Sequence, residues 1–347
     1  MKNFLLLSLF LLPACAPITE PVVETLPADS NNDWYTVYFS EPGGPNAETQ
    51  RGGPDASLAA AIDQSRASID VAIYDLNLWS IRDALLDAHR RGVQVRVVAE
   101  ADNLDSPELQ ELIAAGIPLI DDRNENLMHN KFVVIDRFEV WTGSMNFTLN
   151  GAYRNDNNLI RIRSSRLAEN YLAEFEEMFT DTRFGSSSPA NTPNPDITVE
   201  GTRIETYFSP DDGVADRIVE LVEGAQQSVF FMAFSFTSDD VANAMLFAVD
   251  GGVELVGIFD ASQYSSNIGT EFDRLLDAGQ NVHLDGNSAR LHHKVIIIDE
   301  SIVITGSYNF SRNAEERNDE NVLIIHSAEI AALFVEEFKR VFFEAVE

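Results

Sequence analysis

Cysteine occurs once in this 347-residue chain, at Cys15. No intrachain disulfide can form, so stability must come from burial and hydrogen bonding. Basic residues are scarce: 24 Lys and Arg stand against 56 Asp and Glu, a formal net charge of −32. That balance suits solubility. It disfavours charge-driven binding to nucleic acid or anionic lipid, because affinity for polyphosphate comes largely from Lys and Arg. The N-terminal run from Phe4 to Leu12 is apolar apart from Ser8 but too short to span a bilayer. No Gly-rich nucleotide loop, zinc-type spacing or nucleophile-elbow serine is present. The aromatic residues are too scattered to form a base-stacking platform.

A 45% hydrophobic content and this length allow two domains with real cores. The N-terminus has the plan of a signal peptide, with Lys2 ahead of the apolar run. Leu12-Pro13-Ala14-Cys15 resembles a bacterial lipoprotein box. The resemblance implies lipidation of Cys15 and a cell-envelope protein, outer-membrane if the cell is Gram-negative because Ala16 follows; secretion is the alternative. Residues 16–32 are Pro-rich and acidic and read as a flexible tether.

One stretch appears twice. Met128-His129-Asn130-Lys131 leads into Phe132–Asp136, and Gly143-Ser144-Met145-Asn146 follows. Leu291-His292-His293-Lys294 leads into Val295–Asp299, and Gly306-Ser307-Tyr308-Asn309 follows. The pattern is His-x-Lys, four residues, Asp, six residues, Gly-Ser-x-Asn. Each apolar run after the Lys reads as a buried strand, and the next as its hairpin partner. Each copy therefore gathers an imidazole, an ammonium, a hydroxyl and an amide. Lys and Asn donors suit phosphoryl oxygens. Two imidazoles on opposite sides of a phosphorus can divide the work, one as nucleophile and one as acid.

These motifs resemble those of the phospholipase D superfamily, over nearly the whole chain after the tether. The resemblance implies two α/β/α halves with mixed sheets, related by a pseudo-twofold axis, with one active site at the seam and no metal or other cofactor. Carried over, His129 is the nucleophile and His292 the acid. Lys131, Lys294, Asn146 and Asn309 hold the phosphate, helped by Ser144 and Ser307. Asp136 and Asp299 fall on the opposite strand face from their lysines and read as supporting residues. The copies differ at one place: Glu320 in the second has Asn157 as its counterpart in the first. Glu320 is expected to reach across the seam to His129 and favour it as nucleophile.

A shift of 163 residues carries His129 onto His292, and a shift of 169 carries Tyr38-Phe39-Ser40 onto Tyr207-Phe208-Ser209. Domains are expected at 33–184 and 202–347, joined by a Ser- and Pro-rich linker at 185–201. In the first half a loop at 41–54 precedes a helix at 56–66, Ser80 is placed to cap the next helix, and Ser106-Pro107 starts another. The half-domains cannot bury their seam faces alone, so a monomer with one site is expected. His293 reads as structural, and the Phe-rich stretch from Phe230 to Phe236 as core rather than a lipid cradle. Arg123, Arg154, Arg290, Arg312 and Arg317 lie near the motifs in sequence and are available for a local basic mouth.

The reaction class implied is phosphodiester cleavage or transfer through a phosphohistidine. A phospholipid substrate fits the anchor and the acidity. The runner-up is a nuclease, because Thr142–Phe147 and Thr305–Phe310 look like the motif endings of small bacterial endonucleases in the superfamily. Transfer to an alcohol, as in cardiolipin-type synthesis, is third, and a non-catalytic scaffold is the remaining class.

Overall fold

Each motif lysine opens a fully buried strand, Lys131–Ile135 in the first half and Lys294–Ile298 in the second. Their side chains are apolar on both faces, as suits a strand covered from both sides. Each folds back as a hairpin, onto Glu139–Gly143 and Ile302–Gly306. The computed structural model describes residues 34–123 and 126–347, which belong to one compact unit. The signal segment, Cys15 and the tether lie outside the described residues.

A mixed sheet grows around each hairpin in the same order. The first runs Tyr35–Phe39, Asn158–Arg163, Glu139–Gly143, Lys131–Ile135, Ser68–Ile73, Gln94–Ala99, Leu119–Asp121. The second runs Asp196–Val199, Thr202–Ser209, Glu320–His326, Ile302–Gly306, Lys294–Ile298, Ser228–Ala233, Glu254–Phe259, Asn281–Leu284. The parallel strands at one end of each sheet are linked by crossover helices such as Trp79–Arg90 and Asp239–Asp250. The second sheet's extra edge strand, Asp196–Val199, lies where linker alone was expected. Ile197 and Val199 point into the core while Asp196 and Thr198 face out, a period-2 signal too short to stand out beside its Pro and Asn neighbours.

Two smaller expectations are corrected. Residues 41–54 are not all loop, since Pro45–Thr49 forms a short helix. Ser80 does not cap its helix, which begins at Trp79; its hydroxyl donates to Asp55 at 2.6 Å and ties two helices together. In the second half, Ala261–Ser266 forms a short helix capped by Asp260.

Besides a core of its own on the outer face of its sheet, each half shares a core with the other. One apolar cluster takes Phe132, Val134, Tyr171 and Phe175 from the first and Val295, Ile297, Phe334 and Phe338 from the second. The helices Ser165–Phe179 and Ala328–Val346 supply much of it. Further clusters fill the outer face of each sheet. At about 1.5–3 kcal/mol per fully buried large side chain, the shared cluster welds the two repeats together.

Candidate active site

The seam is built by reciprocal backbone pairing. His129 N–H donates to Asp319 O and His292 N–H to Asp156 O, both at 2.9 Å. The short strand Arg290–Leu291 runs parallel to Asn155–Asp156, and Met128 bridges Asp319 in the same way. Each half thus positions the other half's histidine. Thr142 Oγ1 donates to Asn321 Oδ1 at 2.6 Å and Thr305 Oγ1 to Asn158 Oδ1 at 3.0 Å, closing the layer beneath.

His129 Nδ1 lies 2.7 Å from Glu320 Oε2, which also accepts from Ser307 Oγ at 2.6 Å. That oxygen has no proton to give, so Nδ1 carries the hydrogen and Nε2 is free. His292 Nδ1 lies 2.9 Å from Asn157 Oδ1 and 3.1 Å from Ser144 O, both acceptors, which fixes the same tautomer. Asn157 is itself oriented, its Nδ2 donating to Gly151 O at 3.0 Å. Both histidines leave Nε2 as the free ring nitrogen, one backed by a carboxylate and the other by an amide.

Lys131 and Lys294 are buried, and each Nζ donates to the carbonyl of its own motif histidine, at 2.5 and 2.8 Å. Burial pulls Lys131 down to about 7 against the attraction of Glu320, Asp75 and Glu100. Burial, then Lys131, holds Lys294 well below its ordinary value. His129 falls to about 4, chiefly through burial, although Glu320 pulls the other way. His292 is also well below the usual imidazole range, through burial and the neighbouring lysines. Burial therefore makes positive charge costly at these four groups, a cost that a phosphodiester anion would offset.

The motif serines sit elsewhere than expected. Ser144 Oγ donates to Asn157 Oδ1 and Ser307 Oγ to Glu320 Oε2, so they brace the residues that orient the histidines and not the phosphate. Asn146 and Asn309 do carry buried side-chain oxygens without a partner, at equivalent positions. An amide turned over at either place presents N–H donors instead, which fits a phosphoryl group. Gly143 and Gly306 permit the close passage of the next strand, since a Cβ would lie 2.5 Å from Asn158 O or 2.1 Å from Asn321 O.

Asp136 and Asp299 are remote from the chemistry. Each begins its hairpin's three-residue connection, with φ near +50° at the first two positions, Asp136-Arg137 and Asp299-Glu300. Asp136 Oδ1 accepts from Ala67 N–H at 2.6 Å and Ser68 N–H at 3.0 Å, and Oδ2 from Arg66 N–H at 2.9 Å. Asp299 does the same for residues 226–228. Burial raises the Asp136 carboxyl, but these N–H bonds outweigh it and leave the pKa lowered.

Sequence reasoning missed two aromatic walls. Tyr74 packs edge-on to His129, with ring centres 4.8 Å apart, and Lys131 Nζ lies 5.0 Å from its centre. Phe234 stands 4.6 Å from His292, with Lys294 Nζ at 4.7 Å and the Arg290 guanidinium at 5.7 Å. Such rings offset part of the cost of keeping a lysine charged without water. A shift of 160 residues superposes Tyr74 on Phe234 and was the available signal. His293 is fully buried between Asn158 Nδ2 and Glu337 Oε1, each 3.1 Å away. Phe231 and Phe236 are core. A cavity of about 500 Å³ beside Tyr38, Trp141 and Arg161 contains no motif histidine or lysine.

Fold and site together define a class: a two-repeat α/β protein with paired His-x-Lys motifs brought to one seam. The sequence profile of the family described as "Cardiolipin synthase, PLD-like domain" matches residues 58–179 and 218–342, and the chain belongs to the phospholipase D superfamily. It is 31% identical over 140 residues to a phospholipase D of Rickettsia prowazekii, covering 40% of this chain and 66% of that protein. It is 34% identical over 128 residues to the mitochondrial cardiolipin hydrolase of Mus musculus, covering 37% and 58%. The matches thus span 66% and 58% of these two relatives, less than two thirds of either. The fold is similar to that of the phosphatidylserine synthase of Haemophilus influenzae, with a TM-score of 0.64 at 12% identity, over 89% of this chain and 86% of that one.

Proposed function

We propose that this chain hydrolyses phospholipid head-group esters to phosphatidic acid through a phosphohistidine on His129. The observation that carries the assignment is the Glu320 carboxylate on His129 Nδ1, where His292 has only an amide. As His129 Nε2 attacks phosphorus, positive charge grows on its ring and the carboxylate stabilises it. The P–O bond to the head group breaks in line, and protonated His292 gives its Nε2 proton to the departing oxygen. His292 then takes a proton from water, whose oxygen displaces His129 and yields phosphatidic acid. Lys131, Lys294, Asn146 and Asn309 hold the equatorial oxygens throughout. Both motifs come from one chain, so a monomer suffices.

Relatives named phospholipase D and cardiolipin hydrolase support a lipid substrate, as does the acidity, which disfavours a polyanion. The test is head-group release from phosphatidylcholine, phosphatidylethanolamine and phosphatidylglycerol vesicles in EDTA, with His129→Ala and His292→Ala as controls. Release by the wild type alone is expected. Its absence with folded protein would shift the assignment to the nuclease reading favoured by the Thr-Gly-Ser-x-Asn-Phe endings, whose activity should fall steeply with salt. Phosphatidyl transfer uses the same intermediate with an alcohol in place of water, and added glycerol would reveal it. We also place the chain in the cell envelope, anchored through Cys15. Labelled palmitate should enter the wild type and not Cys15→Ser.

A further inference from the structure

The two sides of the seam are chemically unequal at the mouth. On the His129 side, Tyr74 is followed by Asp75, a half-buried carboxyl close enough to Lys131 for each to feel the other's charge. On the His292 side, Phe234 is followed by Ser235, and Arg290 lies over the Phe234 ring. Arg290 sits on the short strand that leads directly into His292. Its equivalent in the first half, 163 residues earlier, is Leu127. Among the described residues its guanidinium makes no ion pair or side-chain hydrogen bond, and the residue is exposed. Of the other mouth arginines, Arg123 pairs with Asp121 at 3.5 Å, Arg312 with Glu316 at 2.8 Å, and Arg154 bonds Asn150 at 3.4 Å, while Arg317, also exposed and unpaired among the described residues, lies over no aromatic ring there. In a chain of net charge −32, an unpaired arginine beside one reactive histidine is conspicuous.

In-line attack by His129 places the departing alcohol on the His292 side, against Phe234 and Arg290. We propose that Arg290 is a specificity-determining residue that selects departing alcohols carrying negative charge, above all a second phosphate, and rejects ammonium head groups such as choline. This rests on the lipid reading for its preferred substrate: a phospholipid whose head group is itself a phosphate ester. The guanidinium fork offers paired N–H donors to phosphate oxygens and repels a quaternary ammonium. No acid of the first half's Asp75 type stands at the equivalent place, where Ser235 is neutral.

The test uses the full chain and dihexanoyl phospholipids, which stay monomeric and so remove the effect of vesicle charge. Phosphatidylcholine, phosphatidylglycerol and phosphatidylglycerophosphate are compared by kcat/KM for the wild type, Arg290→Lys, Arg290→Gln and Arg290→Glu. The wild type should favour phosphatidylglycerophosphate over phosphatidylcholine by roughly tenfold or more, the size of one charge-assisted contact. Arg290→Lys should keep part of the preference, Arg290→Gln should flatten it, and Arg290→Glu should invert it. A ratio unmoved by all three variants, or a wild type that prefers choline, overturns the inference and leaves the lipid reading standing. If no lipid reacts, the lipid reading falls, and the same charge comparison is made on the dinucleotides TpT and pTpTp, in the second of which the departing nucleoside carries a phosphate whichever P–O bond breaks. A pTpTp preference lost in Arg290→Gln would then sustain Arg290 as selector on a nucleic-acid substrate. No preference there, or no turnover of any substrate, refutes it.

Discussion

Replacing Glu320 by Gln keeps the side chain's shape and removes its charge. Glu320 is completely buried and touches His129, Ser307 and Asn318. A carboxylate roughly 5 Å from the centre of a ring bearing a full positive charge, at an effective dielectric near 20, stabilises it by about 3 kcal/mol. Only part of that charge has developed in the transition state, but the hydrogen bond to Nδ1 also weakens when its acceptor becomes neutral. Together the loss is about 2–3 kcal/mol, or roughly 30- to 150-fold in the rate of forming the covalent intermediate. Rapid-quench single turnover on an activated diester such as bis(4-nitrophenyl) phosphate isolates that step. The variant's melting temperature guards against misfolding, since the new amide faces Asn318 Nδ2, donor to donor. A well-folded Glu320→Gln protein whose first-step rate stays within threefold of the wild type would refute the electrostatic argument. Asn157 shows why mere orientation is not enough: an amide already orients His292, so any penalty at Glu320 beyond a small one measures charge.

Other consequences follow from the same groups. In the free enzyme His129 loses its nucleophilic lone pair to a proton only near pH 4, and Lys131 loses its charge near pH 7. The kcat/KM profile should fall below about 4 and, on its basic side, as His292 gives up the proton it must donate, which burial and the lysines bring below the usual imidazole range; inhibition by dibutyl phosphate should weaken above about 7, and a limb there unmoved in Lys131→Arg would remove Lys131 from the assignment. Burial raises Glu100 and Glu177 to about 7, and Asp211 and Asp285 to about 6. Raised folded-state values mean stability that is complete below the unfolded carboxylate pKa and lost as pH climbs through 6 to 7. Melting temperature should therefore decline from pH 5 to 7.5 at fixed salt, and less steeply in Glu100→Gln; a flat profile contradicts the burial argument. Asp136→Ala leaves three backbone N–H groups short of an acceptor at a left-handed turn. It should cost about 1–3 kcal/mol in urea denaturation while the first-step rate of the folded protein stays unchanged.

The site was legible in the sequence where it repeats. Two copies of one motif fixed the histidines, lysines and amides, and one mismatch between them, Asn157 against Glu320, pointed across the seam. Helix starts were legible where a cap and a proline coincide, as at Ser106-Pro107. What failed depended on partners distant in sequence. A serine hydroxyl donates to whatever acceptor the fold brings near, and Ser307 found Glu320 rather than the site. Tyr74 and Phe234 end strands rich in apolar residues and look like core until Lys131 and Lys294 are seen over their rings. The edge strand Asp196–Val199 exists because Thr202–Ser209 offers it a free edge, which its own composition cannot disclose. The shared core follows from seam faces too apolar to be left wet.

Duplication yields two equal half-sites, and in this chain they have become unequal. A symmetric pair of imidazoles would let either ring attack with the other as acid. The carboxylate at 320 and the amide at 157 break that tie within an otherwise matched frame, since Ser307 and Ser144 brace them identically. The sharpest consequence is a swap: Asn157→Glu combined with Glu320→Asn should move the covalent phosphate from His129 to His292. The buried acid then faces Gly151 O, which has lost its donor, so the protein should be less stable, and its melting temperature sets the assay temperature. Quenched single-turnover samples, digested and sequenced by mass spectrometry, report which motif peptide carries the label. Label on the peptide of His292 means that the local charge assigns the roles. Label still on His129 in the folded double variant means that the choice lies elsewhere, in the unequal mouths formed by Asp75 and Arg290.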